Sequence, residues 1–468
     1  MKKIHCMLNG YYPWIIAILF IIASAVIIYS CKAKVKPEIK KSEKISQVVH
    51  PEWSKNAVIY EVNVRQFTPE GTFNAFAEHL PRLQEMGVDI LWLMPIHPVG
   101  EKNRKGSLGS YYSVKDYKAV NPEFGTMDDF RALVNKAHEL GMYVILDWVP
   151  NHSAWDNPLI EEHPDWYTKD SLGNFVSPFD WSDVVDLDYD NQGLRDYMTG
   201  ALKFWIEEAD VDGFRCDVAG MVPVDYWNEA RPELDKLKPV FMLAEAEVPE
   251  HHDSAFSMSY GWEMHHIINQ IAKGKMNAKH LHKYFLKNDS VFPQNSFRMY
   301  FTSNHDENSW NGTEYERMGD GAETFAALTY IVPGMPLIYS GQEAALNKRL
   351  RFFDKDTIDW NDYPLQDFYK TLNELKNDNV ALWNGFWGSD YFRIPTTTDT
   401  AIFAVMREKD GNRVAGIFNL SSKSHKIRLK SEDYTGDYMD IFTGEDFIMG
   451  KAQAMDMEPW EYVILVNK

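Results

Sequence analysis

The chain has 468 residues, 45% of them apolar and 25% charged, and a formal net charge of −20. That length and composition exclude a disordered chain and allow a large core with two or three domains. The acidic balance leaves no basic face for nucleic acid. Three cysteines, Cys6, Cys31 and Cys216, exclude a disulfide framework.

In chain order, Lys2 and Lys3 precede an apolar run over 11–30 that ends just before Cys31. This pattern resembles a bacterial lipoprotein signal, residues 1–31, with Cys31 as the lipidated first residue of the mature chain. Tyr29 is bulkier than the residue usual there, and ~20 apolar residues also span a bilayer, so an uncleaved membrane anchor is the alternative. Both readings export the rest to the bacterial cell envelope, in the periplasm or at the cell surface. Residues 32–50 are Lys-rich without a helical or strand period and read as a tether. With eight lysines against two glutamates in residues 1–44, the exported body is more acidic than the whole.

Short apolar runs then alternate with helical patterns. AVIYEVNVRQF (57–67) predicts a first strand. FNAFAEHLPRLQEMG (73–87) predicts a helix, with Phe73, Phe76, Leu80, Leu83 and Met86 at helical spacing and Gly87 at its stop. VDILWLMP (88–95) predicts the second strand, MDDFRALVNKAHELG (127–141) a helix, and YVILDWVPNH (143–152) the third strand. The rhythm breaks over about 153–191, an irregular insertion rich in Trp, Pro and Asp, of the kind that carries function. A helix over 194–209 restores it. Strands follow at 211–217, 239–245, 256–261, 297–306 and 335–343, with helices over 262–273, 322–332 and 365–375. Eight strand-then-helix units over 51–380 predict an α/β fold, a (β/α)8 TIM barrel with a short lobe inserted after strand 3. Alternating runs split by turn residues over 385–468 predict a C-terminal all-β sandwich.

In such barrels the C-terminal ends of the strands form the active face. Within VDGFRCDVAG (211–220), Arg215 and Asp217 share one strand face, while Phe214 and Cys216 share the other. A neighbouring arginine favours an ionised carboxylate, a candidate nucleophile; a structural ion pair is the alternative. Strand three ends in Asp147, Asn151 and His152, and strand five in Glu245 with Glu247 just beyond. Strand seven ends in Asn304, His305 and Asp306. Acids from three strand ends in one pocket are costly to pack unless something uses them. Acetal cleavage uses them: one carboxylate attacks the anomeric carbon while a second group protonates the departing oxygen.

The motifs DWVPNH, GFRCD, MLAE and TSNHD stand in this order. On them the chain resembles the α-amylase family, glycoside hydrolase family 13, from Tyr60 to the end of the C-terminal runs. The resemblance implies a retaining hydrolase of α-1,4-linked starch fragments or maltooligosaccharides, with Asp217 as nucleophile, Glu245 as acid/base and Asp306 as stabiliser of the distorted sugar. It implies His152 and His305 as hydroxyl-binding residues, Arg215 as the paired arginine and Tyr112 as the aromatic platform. Glu247 competes with Glu245 for the acid role. The insertion resembles the family's small lobe, and its motif VDLDYDN (185–191) implies a structural calcium with Asn151 and Asp186 as ligands. A lobe packed without metal is the alternative, and no organic cofactor is implied. Gly220 and Met221 replace a Lys-His pair that many starch-cleaving members carry. Their presence points toward shorter substrates, with α-glucosidase, cyclomaltodextrinase-like or transglycosylating activity as alternatives. A non-catalytic anchored binding protein would be marked by loss of the three acids, and all three are present.

Overall fold

Eight parallel strands close into a barrel in the computed structural model, which describes residues 41–430, 433–450 and 454–468. The signal or anchor reading and residues 32–40 of the tether fall outside these residues; the tether reading does not hold for 42–50, which pack on the barrel, with Ser46, Val48 and His50 buried and Ser46 Oγ donating to His252 O at 2.6 Å. In chain order β1 (Ile59–Val62), β2 (Ile90–Leu93) and β3 (Tyr143–Trp148) are followed by a short antiparallel pair, β4 (His152–Ala154) and β5 (Val184–Asp186), at the base of the inserted lobe. The barrel resumes with β6 (Gly213–Cys216), β7 (Phe241–Ala244), β8 (Met258–Tyr260), β9 (Phe297–Tyr300) and β10 (Met335–Tyr339). The ring runs β1-β10-β9-β8-β7-β6-β3-β2.

Strand alternation sorts the side chains into two cores. Ile59, Ile90, Trp92, Ile145, Leu243, Met299 and Leu337 fill the barrel interior. Tyr60, Leu91, Leu146, Phe214 and Cys216 point outward into the core shared with the helices. The predicted split of Phe214 and Cys216 from Arg215 is therefore what the strand adopts. Helix starts follow local chemistry. Thr126 and Asp129 form a reciprocal capping box on the helix Met127–Glu139, and Asn191 caps Gln192–Ala209.

Two predicted elements come out differently. The first strand stops at Val62, and Val64–Phe67 turns into one helical turn closed by Gln66 and Phe67 N–H bonds to Asn63 O. The helix predicted over 73–87 splits into Phe73–Ala77 and Leu80–Glu85. Pro81 lacks the N–H a continuous helix would need, so it is tolerated only in a first turn. A second helix, Ala278–Val291, precedes β9 and was not expected from the sequence.

The C-terminal run folds into an antiparallel sheet of β11 (Tyr391–Arg393), β12 (Ile402–Lys409), β13 (Asn412–Asn419), β15 (Gly436–Asp440), β16 (Asp446–Met449) and β18 (Tyr462–Asn467). A second sheet pairs β14 (His425–Arg428) with β17 (Ala454–Met457). Ile402, Met406, Ile417, Ile427 and Met457 fill the core between the two. The other face of the large sheet, with Phe403, Val405, Val414 and Phe418, joins the core of the barrel helices. Among the described residues no helix is long and apolar enough to cross a membrane.

Candidate active site

The site begins as a change of residue type along inward-facing strand positions. Asp147 lies beside Arg215 in the β3–β6 register, and Glu61 lies beside Trp92 and Tyr339. Just past the strands, Asp217 N bonds Trp148 O at 2.8 Å and Glu245 N bonds Cys216 O at 3.0 Å. Sheet pairing thus carries both acids to the same height on the rim.

Arg215 organises what meets there. Its Nη1 donates to Asp147 Oδ1 at 2.8 Å and to Asp217 Oδ1 at 3.0 Å. Its Nε donates to the Tyr260 hydroxyl at 3.1 Å. Its Nη2 lies 2.9 Å from Glu245 Oε2, off the N–H direction, so this contact is an ion pair without an aligned hydrogen bond. The rings of Trp92, Tyr112 and Tyr260 surround the guanidinium at 5.0–5.8 Å. Val218 follows the would-be nucleophile in the left-handed region, φ +37°, a strained position for a β-branched residue. That turn aims the Val218 N–H at Glu245 Oε2, 2.7 Å away.

A second line of contacts crosses the rim from the other side. His305 Nδ1 meets Glu61 Oε1 at 2.5 Å, and its Nε2 meets the Tyr112 hydroxyl at 2.7 Å and Asp306 Oδ2 at 3.3 Å. Tyr112 donates to Asp147 Oδ2 at 3.0 Å, which links the two lines. Exposure rises toward solvent: the Arg215 side chain is 0% exposed, Asp217 11%, Glu245 12% and Asp306 35%.

The electrostatics correct one expectation. Arg215 was expected to hold Asp217 ionised, but burial and the Glu245 carboxylate push the Asp217 carboxyl well up, against the pull of Arg215. Arg215 faces three carboxylates, Asp147, Asp217 and Glu245, so its pull on each is divided. Burial also pushes Asp147 up to about 6, with Arg215 and His305 opposing it. Burial opposes the charged His305 ring, yet the Asp306 and Glu61 carboxylates hold it up at about 9. His152, by contrast, is pushed down to about 3 by burial and is a neutral ring.

These side chains line a cavity of about 450 Å3. Tyr112, His152, Asp217, Glu245, His305 and Asp306 all face it, while Arg215 lies beneath its floor. Sequence reasoning missed its walls. Trp181 rises from the lobe against the His152 ring, and Trp310 and Phe352 rise from the connections after β9 and β10. Lys105 bridges the mouth to Asp183 of the lobe at 2.9 Å. It also gave no role to Asp147 or Glu61, although a lone carboxylate inside the apolar run IYEV was a usable signal. A larger cavity of about 580 Å3 around Trp53 and Tyr143 contains none of the predicted site residues.

Glu247 does not compete with Glu245. Its carboxylate pairs with Arg298 Nη2 at 2.5 Å and accepts the Glu263 N–H at 3.0 Å, away from the cavity. Asn151 and Asp186 do come together, in the stretch where β4 pairs with β5. Asn151 turns its Nδ2 toward Asp186 Oδ1 at 3.4 Å, and Asp186 Oδ2 accepts from Thr168 Oγ1 at 2.7 Å. Calcium takes about six to eight oxygens. Asn151 Oδ1 and the two Asp186 oxygens would supply up to three of them, with Asp186 already accepting from Asn151 Nδ2 and Thr168 Oγ1. Among the described residues no group of three or more His, Cys, Asp or Glu could hold a metal ion.

Comparison with known proteins places the chain in a family. The family model for the α-amylase catalytic domain matches residues 41–184 and 157–380. The chain is 28% identical over 415 residues to α-amylase MalA of Haloarcula japonica, covering 84% of this chain and 59% of that protein's length. It is 30% identical to a noncanonic maltogenic α-amylase, AmyB, from Thermotoga neapolitana, with a TM-score of 0.82 and coverage of 89% of this chain and 99% of that one. An α-amylase from Lactobacillus plantarum is 30% identical, with a TM-score of 0.80 and coverage of 89% and 100%. The matched span holds the whole barrel and every side chain of the rim, and this chain belongs to the α-amylase family.

Proposed function

We propose that this chain is a retaining hydrolase of α-1,4-glucosidic bonds in maltooligosaccharides or starch fragments. One observation carries the reading: a single buried guanidinium, Arg215, ties Asp217 and Glu245 together at the floor of an open cavity. Carboxyls that grip two nitrogens of one guanidinium suit the short separation, about 5–5.5 Å, of the covalent two-step route.

In that route Asp217 attacks the anomeric carbon while Glu245 gives its proton to the departing glycosidic oxygen. Water then enters, Glu245 takes its proton, and the ester to Asp217 is cleaved. Positive charge growing on the sugar favours the ionised Asp217, so the proton resides on Glu245 as the bond breaks. Asp306 and the ring of Tyr112 hold the sugar, and His152 and His305 bind its hydroxyls.

Short substrates fit best within this class. Met221, 43% exposed, and Gly220 stand where a cationic pair would extend a chain-binding surface. The Thermotoga relative is itself described as maltogenic. Chromatography of the products from starch, maltotriose, pullulan and isomaltose tests the reading, with Asp217→Asn as control. Release of short maltooligosaccharides by the wild type alone is expected; equal release by both proteins would remove Asp217 from its role. Turnover of isomaltose but not maltotriose would reject the α-1,4 preference.

We also infer that residues 1–31 act as a lipoprotein signal and that the enzyme works tethered at the envelope through Cys31. Lys2, Lys3 and the apolar run support this. Mass spectrometry of the N-terminal peptide tests it: a diacylated or triacylated Cys31 is expected, and an intact Met1 terminus would favour the uncleaved anchor.

A further inference from the structure

Glu61 sits in the middle of β1 with 0% exposure and faces the barrel interior beside Trp92 and Tyr339, neither of which is charged. Its Oε1 meets His305 Nδ1 at 2.5 Å, and its Oε2 is buried without a hydrogen-bond partner. A carboxylate so placed is costly unless a cation offsets it.

The contacts of the His305 ring say which cation. Its Nε2 faces the Asp306 carboxylate, with Oδ2 at 3.3 Å, and lies 2.7 Å from the Tyr112 hydroxyl, which in turn lies 3.0 Å from Asp147 Oδ2. His305 Nδ1 faces a carboxylate oxygen as well. A neutral imidazole has one N–H and cannot serve both sides. We propose that Glu61 is a positioning residue that keeps His305 doubly protonated, so that its Nε2–H is aimed at Tyr112 and Asp306. The claim rests on the reading of Tyr112, His305 and Asp306 as the groups that hold the sugar.

The surroundings of the ring agree. Glu61 reaches it from β1, Tyr112 from the connection after β2, Asp147 from β3 through Tyr112, Arg215 from β6 and Asp306 from its own segment. The rings of Trp92 and Phe352 pack against the remaining sides, with centroids 5.9 and 6.4 Å away. Burial and Arg215 oppose the charged ring, and the Asp306 and Glu61 carboxylates outweigh them. Without Glu61, Asp306 alone would have to hold the charge while bending over the sugar. The predicted loss is therefore in sugar placement and charge, through His305, rather than in the acid/base pair.

The test separates His305 from Glu245. With α-maltosyl fluoride as substrate the leaving fluoride needs little protonation, so the alkaline limb of kcat/KM does not report the general acid. In the wild type that limb is expected at about pH 9, the value to which His305 is held. In Glu61→Gln, which keeps shape and removes charge, it moves down by more than about one pH unit, while Glu61→Asp keeps the wild-type limb. Nitrogen-15 shifts of the His305 ring in the wild type are expected to show both nitrogens protonated at about pH 8. A ring carrying one proton there, or a Glu61→Gln limb that does not move, would overturn the proposal. The ring measurement needs no variant and decides the matter if Glu61→Gln fails to fold. Doubly protonated His305 in a protein that cleaves no α-glucan would instead leave this proposal standing and reject the hydrolase reading.

Discussion

The barrel interior and the barrel rim are built from the same strands, on the same inward face, two residues apart. Ile59 lies below Glu61, Ile90 below Trp92, Ile145 below Asp147 and Gly213 below Arg215. Below, the side chains are apolar and interlocked. At Gly213 a Cβ would lie 1.9 Å from Phe241 O, so even a methyl group is excluded. Above, the same register delivers a buried arginine ringed by carboxylates. Backbone alternation is indifferent to which layer it makes. The lower layer supplies stability through burial, about 25 cal/mol per Å2 of apolar surface. The upper layer carries desolvation penalties that one guanidinium only partly offsets, and groups held in that state are the ones able to exchange protons and charge with a ligand.

Substitutions that touch one layer and spare the other break or sharpen this comparison. The largest effect is expected at the rim: Asp217→Asn should lower kcat on maltoheptaose by at least about 10^4-fold with little change in Tm. A comparable loss of Tm would mean the rim also carries the fold. Arg215→Met should affect both properties, since it strands Asp147, Asp217 and Glu245 without their cation. A stability loss of about 3–5 kcal/mol in urea titration is expected together with loss of turnover. Unchanged stability would show that the carboxylates simply take up protons. Ile145→Ala, directly beneath Asp147, should cost about 2–4 kcal/mol and leave kcat within about tenfold. A collapse of kcat at full stability would show that the two layers are coupled.

A pH-dependent effect lies outside the barrel. His282 stacks on Phe403 at 4.5 Å, and burial pushes its ring down to about 3. Below about pH 6.5 the unfolded chain gains a proton there that the folded chain refuses, so the destabilisation is absent above that pH and grows as pH falls toward about 3. His282→Phe should therefore gain on the wild type by up to about 1.4 kcal/mol per pH unit through that window. A pH-independent difference would contradict it. The smallest effect is expected from chelation: with so few oxygens at Asn151 and Asp186, EGTA should shift Tm by less than about 1 °C. A drop of several degrees, restored by calcium, would show that the lobe holds the metal.

Much of this layering could be read from residue order. The period-two pattern of GFRCD places Arg215 on the face opposite Phe214 and Cys216, and the strand-end motifs bring Asp217, Glu245 and Asp306 to one rim. What could not be read was partnership. Glu61 and His305 are 244 positions apart, and nothing local to either names the other. The upward push on Asp217 comes from burial and from the Glu245 carboxylate, which requires knowing that two strand ends are neighbours. Trp310 and Phe352 sit in irregular connections where side-chain period carries no information. The break at Pro81, in contrast, was present in the residues and was overridden by the apolar spacing around it.

The central claim is that Asp217 and Glu245 act as nucleophile and acid/base on one glycosyl unit. The most direct test is mass spectrometry of Glu245→Gln after incubation with α-maltosyl fluoride, in which glycosylation proceeds but deglycosylation lacks its base. A maltosyl ester on the peptide containing Asp217 is predicted. An adduct on any other residue, or a Glu245→Gln protein that turns the fluoride over at the wild-type rate without an adduct, would contradict it.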